Sequence, residues 1–332
     1  MSFNGIEVDM LSIGNADSIL VSRWENGLPT RVLIDGGNKG SASKVRSFLR
    51  GVGVSYIDHI VCTHPHDDHA GGLLGLVGDT TLGIGCLWSH VPGRHLDLNA
   101  VNRALQQTSE STVTRVLRES ILTQRSLLNL AAQRGIPVLE PFDGEAVGFM
   151  TVCGPDPEFY RDMLCCFSDL EKLRLYEERL GAMDLRSAID DVLEEEPGLL
   201  DDPVTQAENE ASVVLGTKFD GNLFLFTGDA GVRALQRAAT QYALQGCRWM
   251  QIPHHGSRRN INRELIEHFR PQTAFISAEG SKKHPRRAVV NAFKNVGASV
   301  FSTHYPDARP LRFHLGAVPP RAGYSSATAL WN

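Results

Sequence analysis

The chain has 332 residues, with 33 basic and 38 acidic side chains and a formal net charge of −5. A chain of this length buries roughly three quarters of its unfolded surface, so a core forms without disulfides or oligomerisation. Hydrophobic residues at 42% and charged residues at 21% exclude a wholly disordered or fibrous chain, and the overall negative charge counts mildly against a nucleic-acid partner.

Cys62, Cys86, Cys153, Cys165, Cys166 and Cys247 include no C-x-x-C pair. They are too sparse for a disulfide scaffold and read as reduced thiols of a cytoplasmic protein. The stretch MSFNGIEVDM lacks a basic region followed by an apolar one, so no signal peptide is expected. No window approaches about 18 uninterrupted apolar residues, so no membrane span is expected.

In chain order, Ile6–Ile13 and Ser18–Ser22 read as strands around the turn Gly14-Asn15-Ala16-Asp17. Arg31–Asp35 is a strand ending at Gly36-Gly37, Lys44–Leu49 a helix, and Ile57–Thr63 a buried-type strand. This texture is that of an α/β protein. Residues 99–134 carry a helical pattern, Ile136–Val152 short strands with turns, and Pro157–Glu196 a second helical pattern closed by Pro197-Gly198 and an acidic loop to Glu210. Strands follow at Ser212–Leu215, Asn222–Phe226, Arg248–Ile252, Thr273–Ser277 and Ser299–Ser302, and helices at Leu235–Tyr242, Arg263–Phe269 and Arg287–Asn295. No fixed-period repeat or low-complexity tract interrupts them, and 1–332 is expected to form one domain.

The strongest local signal is His64-Pro65-His66-Asp67-Asp68-His69, followed by Ala70-Gly71-Gly72. Three histidines and two aspartates within six positions at a strand end point to a metal site. Imidazole suits zinc and other first-row metals, and carboxylate suits bridging or harder ions. A segment of this kind can serve two ions about 3.5–4 Å apart, an arrangement that activates water against phosphorus or carbon. No G-x-S-x-G, Walker or G-x-G-x-x-G motif competes with that reading.

These residues resemble the metallo-β-lactamase superfamily, whose hallmark is His-x-His-x-Asp-His after a buried strand. Leu33-Ile34-Asp35-Gly36-Gly37 looks like its first motif and Phe226-Thr227-Gly228-Asp229-Ala230 like its later aspartate motif. Val8–Ser18, Asn209-Glu210-Ala211-Ser212 and Ile252-Pro253-His254-His255-Gly256-Ser257 resemble the branch that holds the hydrolase domain of ComEC competence proteins and bacterial phosphocholine esterases. The resemblance covers most of the chain. It implies an αββα sandwich, two packed sheets flanked by helices, with 156–210 as a helical acidic insertion.

It also implies the ligand set. His64, His66 and His255 would hold one divalent ion, Asp68, His69 and His284 the other, with Asp229 bridging and zinc or manganese as the metals. His254 is the alternative ligand to His255, or else a substrate contact beside the catalytic Asp68 and Asp229. Asp35 would support a ligand histidine or its loop. Asp67 reads as a solvated carboxylate, and His59, His90, His95, His268, His304 and His314 as structural or surface residues. The membrane channel of ComEC proteins is not part of the resemblance, so DNA uptake is not implied.

Ser257, Arg258, Arg259, Lys282 and Lys283 flank the late motifs and are candidate contacts for a substrate phosphate. With the resemblance, they point to a phosphodiesterase or nuclease that uses a water held between two metals as nucleophile. A hydrolase of a lactone, β-lactam or thioester is the first alternative. The second is a metal-stabilised regulatory subunit that binds a partner protein, or itself, through 156–210. Residues 156–210 hold 17 acidic and 5 basic side chains, and the rest of the chain 21 acidic and 28 basic. The core therefore carries +7 and the segment −12, which removes the objection to an anionic substrate.

Overall fold

The computed structural model describes residues 2–95, 112–165, 198–281, 283–321 and 327–330. Two seven-stranded sheets pack face to face. In sequence order the first half contributes β1 (Asn4–Met10), β2 (Ile19–Glu25), β3 (Leu28–Ile34), helix α1 (Ala42–Gly51), β4 (Tyr56–Val61), α2 (Gly72–Val77), β5 (Gly83–Trp88), α3 (Thr112–Gln133) and β6 (Val138–Leu139). The second half contributes β7 (Ala146–Val147), β8 (Met150–Gly154), α4 (Pro157–Cys165), α5 (Ala207–Glu210), β9 (Val214–Phe219), β10 (Asn222–Phe226), α6 (Val232–Gln241), β11 (Trp249–Gln251), α7 (Arg263–Phe269), β12 (Thr273–Ile276), α8 (Arg287–Asn295) and β13 (Ser299–Ser302). β14 (Leu311–Ala317) returns to pair with β1.

The two sheets repeat one plan. Antiparallel β1-β2-β3 leads into parallel β4, β5 and β6. Antiparallel β8-β9-β10 leads into parallel β11, β12 and β13. Alternation of side chains explains the layers. In β3, Val32 and Ile34 face the inter-sheet core while Leu33 packs under the first-half helices. In β10, Phe224 and Phe226 face between the sheets while Leu223 and Leu225 meet the helices of the second half. Both faces of β10 are covered, which is why it reads as an apolar run. The result is the expected αββα architecture.

Several boundaries differ from the sequence reading. The first strand stops at Met10 because the Leu11 amide turns to the Ser18 carbonyl (3.0 Å). The helix expected over 99–134 is described from Thr112 to Gln133, and the part of that expectation over 99–111 lies outside the described residues. Of the acidic segment, 166–197 also lies outside them. Its two ends are embedded: Phe159, Tyr160 and Met163 are core residues, and the expected acidic loop before Glu210 closes as α5. Glu210 Oε2 there accepts the Ala234 amide (3.0 Å) in the first turn of α6. β5 and β14 were not singled out in the sequence.

Candidate metal centre

The ends of β3, β4, β10 and β11 converge, and their loops carry the site. Asp35, just after β3, takes a left-handed backbone (φ 59°), a conformation costly for a non-glycine residue. That turn aims its carboxylate into the neighbouring loop. Asp35 Oδ1 accepts the Thr63 amide (2.8 Å), and Oδ2 accepts the Thr63 hydroxyl (2.6 Å) and the His69 Nδ1–H (2.7 Å). Asp35 therefore holds a proton on Nδ1 of His69 and turns Nε2 toward Asp229. The histidine loop is also clamped by backbone: Gly36 donates to the His69 carbonyl (2.9 Å) and Asp17 to the Asp68 carbonyl (3.0 Å). A Cβ on Gly72 would lie 1.9 Å from the Gly36 carbonyl oxygen, so only glycine permits this approach.

Asp229 follows β10. Gln251 shapes its loop, accepting the Thr227 and Gly228 amides at 3.1 and 3.2 Å and donating to Asp17 Oδ2 at 2.7 Å. Asp229 Oδ1 lies 3.3 Å from His69 Nε2, and Oδ2 lies 3.6 Å from His254 Nε2 and 3.9 Å from His64 Nε2. Its two oxygens thus face two different sets of imidazoles.

His254, His255 and Gly256 run consecutively through left-handed backbone, at φ 47°, 53° and 80°. This bend turns two adjacent histidines into one cleft. His255 donates Nδ1–H to the Ser277 carbonyl (2.8 Å) and points Nε2 at Asp68 Oδ2 (3.4 Å). Behind it, Asp17 Oδ1 is 3.7 Å from the same Nδ1.

The donor atoms fall into groups whose members lie within 4.8 Å of one another: Asp68, His69, Asp229 and His255; and His64, His66 and Asp68. A third group, Asp17, Asp35 and His69, lies on the Nδ1 side of His69 and supports it. Nε2 of His64, His66 and His69, both oxygens of Asp229 and Nδ1 of His284 are buried without a hydrogen-bond partner. More than about 90% of buried polar groups are normally paired. Such a concentration of bare nitrogen and carboxylate atoms fits divalent metal binding.

The electrostatics agree. Burial opposes ionisation of Asp229, but the surrounding His254, His69 and His255 hold its carboxyl well below the usual range. Burial, reinforced by His69 and His66, pushes His64 well down. Burial also opposes a charge on His255, yet Asp68, Asp17 and Asp229 raise it to about 9. Burial raises Asp17 to about 6 against the pull of His255 and His69. Beside Asp68, Asp229 and Asp17 the cavity thus favours positive charge, which protons supply on His69 and His255 and divalent ions can replace, while burial keeps His64 and His254 neutral.

The sequence expectation grouped His255 with His64 and His66; the structure brings it to Asp68, His69 and Asp229 instead. His254, the alternative, stands opposite the Asp229 oxygen nearer His64. His284 is buried with its ring 5.5 Å from that of His254 and 6.0 Å from that of His255, and neither His284 nor His254 is in one of the donor groups above. Burial, then the neighbouring His254 and His255, lowers it to about 2.

Among the phosphate candidates, Ser257 and Arg258 are buried, Arg259 is half-buried and Lys283 exposed; Lys282 lies outside the described residues. Arg258 and Arg259 already make contacts of their own, and Ser257 Oγ accepts the Arg259 amide (3.2 Å). Exposed Asp67 pairs with Lys39 (3.6 Å). His95 meets Glu140 (2.8 Å), and His90 stacks on Tyr160 (4.1 Å).

Sequence reasoning missed Gln251, Asn260 and Thr205 as supports. A lone amide or hydroxyl carries no spacing signal, and each acts across the fold.

Residues 29–95 match the family described as the metallo-beta-lactamase superfamily. Comparison with curated proteins returns no match. Among solved structures, the chain is similar to the hydrolase AbOPH of the beta lactamase superfamily (TM-score 0.36, 15% identity, 64% of this chain and 55% of that one). It is also similar to a variant of the CmlA beta-hydroxylase (0.42, 14%, 94% and 54%). A third is Tm1679, a metal-dependent hydrolase of the beta-lactamase superfamily (0.47, 13%, 94% and 99%). The chain spans about half the length of the first two of these.

Proposed function

From a chain with the metallo-β-lactamase fold, whose residues 29–95 match that superfamily, we propose a dinuclear metal-dependent hydrolase acting on phosphodiesters. His64, His66 and His254 would hold one ion and Asp68, His69 and His255 the other, with Asp229 shared. The observation that carries this reading is the division of Asp229: Oδ1 toward His69, Oδ2 toward His64 and His254. Divalent ions bound there supply Lewis acidity and lower the pKa of water.

The protein's own part is preorganisation. Asp35 and the Ser277 carbonyl fix the proton positions on His69 and His255. His64, His69, Asp229 and His255 are buried, whereas His66, Asp68 and His254 are half-exposed. Substrate therefore has access from the His66, Asp68 and His254 side. Support for a phosphodiester comes from the net +7 of the chain outside 156–210 and from the resemblance to the ComEC and phosphocholine-esterase branch.

The test is a substrate panel on protein of measured metal content. It includes a chromogenic phosphate bis-ester, single- and double-stranded DNA, RNA, cyclic nucleotides, a lactone, a β-lactam and a thioester. Phosphodiester cleavage that disappears in Asp68→Ala and His64→Ala is the expected result. Cleavage of the carbon esters alone would replace the substrate class, and cleavage unaffected by both substitutions would defeat the metal reading.

A further inference from the structure

We propose that Asn260 is a positioning residue that selects which nitrogen of His254 faces the metal; the inference rests on the dinuclear reading above. Asn260 is fully buried. Its Nδ2 donates to the Asp229 carbonyl (2.7 Å) and to Thr205 Oγ1 (3.2 Å). The Asp229 carbonyl can only accept, so that bond fixes the NH2 of Asn260 there and turns Oδ1 toward His254. Oδ1 accepts from His254 Nδ1 at 2.9 Å. The proton is thereby kept on Nδ1, and Nε2 is left bare toward Asp229 Oδ2 (3.6 Å).

A competitor sits on the same ring atom. Asn209 Nδ2, which also donates to Thr205 Oγ1 (3.0 Å), approaches His254 Nδ1 at 3.1 Å. An amide N–H there favours a bare Nδ1 and therefore a proton on Nε2, which would block metal binding. Asn260 is the closer of the two partners and holds the balance. It also ties the ring to the backbone of the aspartate shared by both ions. Its influence should fall mainly on one ion, because His69 and His255 take their orientation from Asp35 and Ser277.

The experiment uses the full-length protein. Ring-nitrogen NMR shifts of His254 are recorded on the metal-free protein, followed by zinc titration with chelator competition. Wild type should show the Nδ1–H form and bind two equivalents. In Asn260→Leu the proton should move to Nε2, and the second equivalent should weaken by about 10–100-fold, the usual size for an outer-shell partner. The first equivalent should stay within about threefold. Asn260→Asp keeps an acceptor for Nδ1–H but loses the donation to the Asp229 carbonyl, so the Nδ1–H form should persist while the second affinity falls by less than in Asn260→Leu. Adding Asn209→Leu to Asn260→Leu removes the competing donor and should restore part of the second affinity.

An unchanged Nδ1–H form in Asn260→Leu, an equal fall of both equivalents, or loss of the Nδ1–H form in Asn260→Asp would overturn the proposal. If Asn260→Leu does not fold, Asn260→Ala carries the same expectations. Wild type that binds fewer than two equivalents would defeat the dinuclear reading instead, and the metal-free ring shifts would still judge the role of Asn260.

Discussion

The two halves of the molecule share a strand plan but supply the site in different ways. The first half delivers His64, His66, Asp68 and His69 from one continuous loop after β4. Backbone hydrogen bonds and close glycine contacts hold that loop. The second half delivers Asp229 after β10 and His254 and His255 after β11. These rest on a strained left-handed bend and on single side chains, Gln251 and Asn260. A site loop clamped by backbone is written compactly in sequence, whereas one clamped by distant side chains is not.

The comparison breaks most completely at the residue both ions would share. Asp229→Asn should abolish binding of both equivalents and lower activity by at least about 1,000-fold, since metal polarisation is worth several kcal/mol. Metal analysis after dialysis checks it; retention of either ion would show that Asp229 does not bridge. A smaller break separates the two groups. His255→Ala and His64→Ala should each leave one equivalent, and cobalt spectra of the two variants should differ because the surviving ligand sets differ. Identical spectra would contradict the grouping. Smaller again is Asp35→Asn, which keeps the shape but offers a poorer acceptor to His69. It should weaken the ion beside His69 by about 10–100-fold. Calorimetric titration that finds no change there would leave Asp35 as a loop former only.

The same contrast explains what was legible in the sequence. His64, His66, Asp68 and His69 stand within six positions, so their local density announced them. The strand before them and the glycines after them were equally visible as an apolar run and a Gly-Gly pair. The second-half ligands were legible only as a family resemblance. Spacing cannot say which of two adjacent histidines faces which ion, because that is decided by two consecutive residues with positive φ. Propensity argues against such a bend, and only the packing of β11 beside β10 and β12 imposes it. His284 was likewise legible only through the resemblance; its ring stands 5.5 Å from that of His254, with Nδ1 buried and without a hydrogen-bond partner. The short β5 and the edge strand β14 escaped notice because glycines dilute the one and exposed polar positions the other.

The finest distinction between the halves is a matter of protons. In the metal-free protein His255 has its pKa raised to about 9, with Asp68 and Asp17 outweighing burial. Its unfolded value is near 6.5. A folded value above the unfolded one means that the folded state binds the extra proton, so this contribution is complete below about pH 6.5 and is lost as the pH rises through about 9. Asp17, raised to about 6 from 3.8, acts in the same direction at lower pH. Its share is full below about 3.8 and gone once the pH has passed about 6. Bound divalent ions would take the place of the histidine proton and remove the dependence. Thermal melts of chelator-treated and zinc-loaded protein between pH 6 and pH 10 test this. The metal-free Tm should fall more steeply from pH 7 to pH 10 than the loaded one, and His255→Asn should remove part of that slope, the rest belonging to His69, where burial is outweighed by Asp229, Asp35 and Asp68, which raise it. Parallel curves would mean that the cavity beside Asp68 does not exchange protons for metal, and that the second-half loop is held in place without regard to charge.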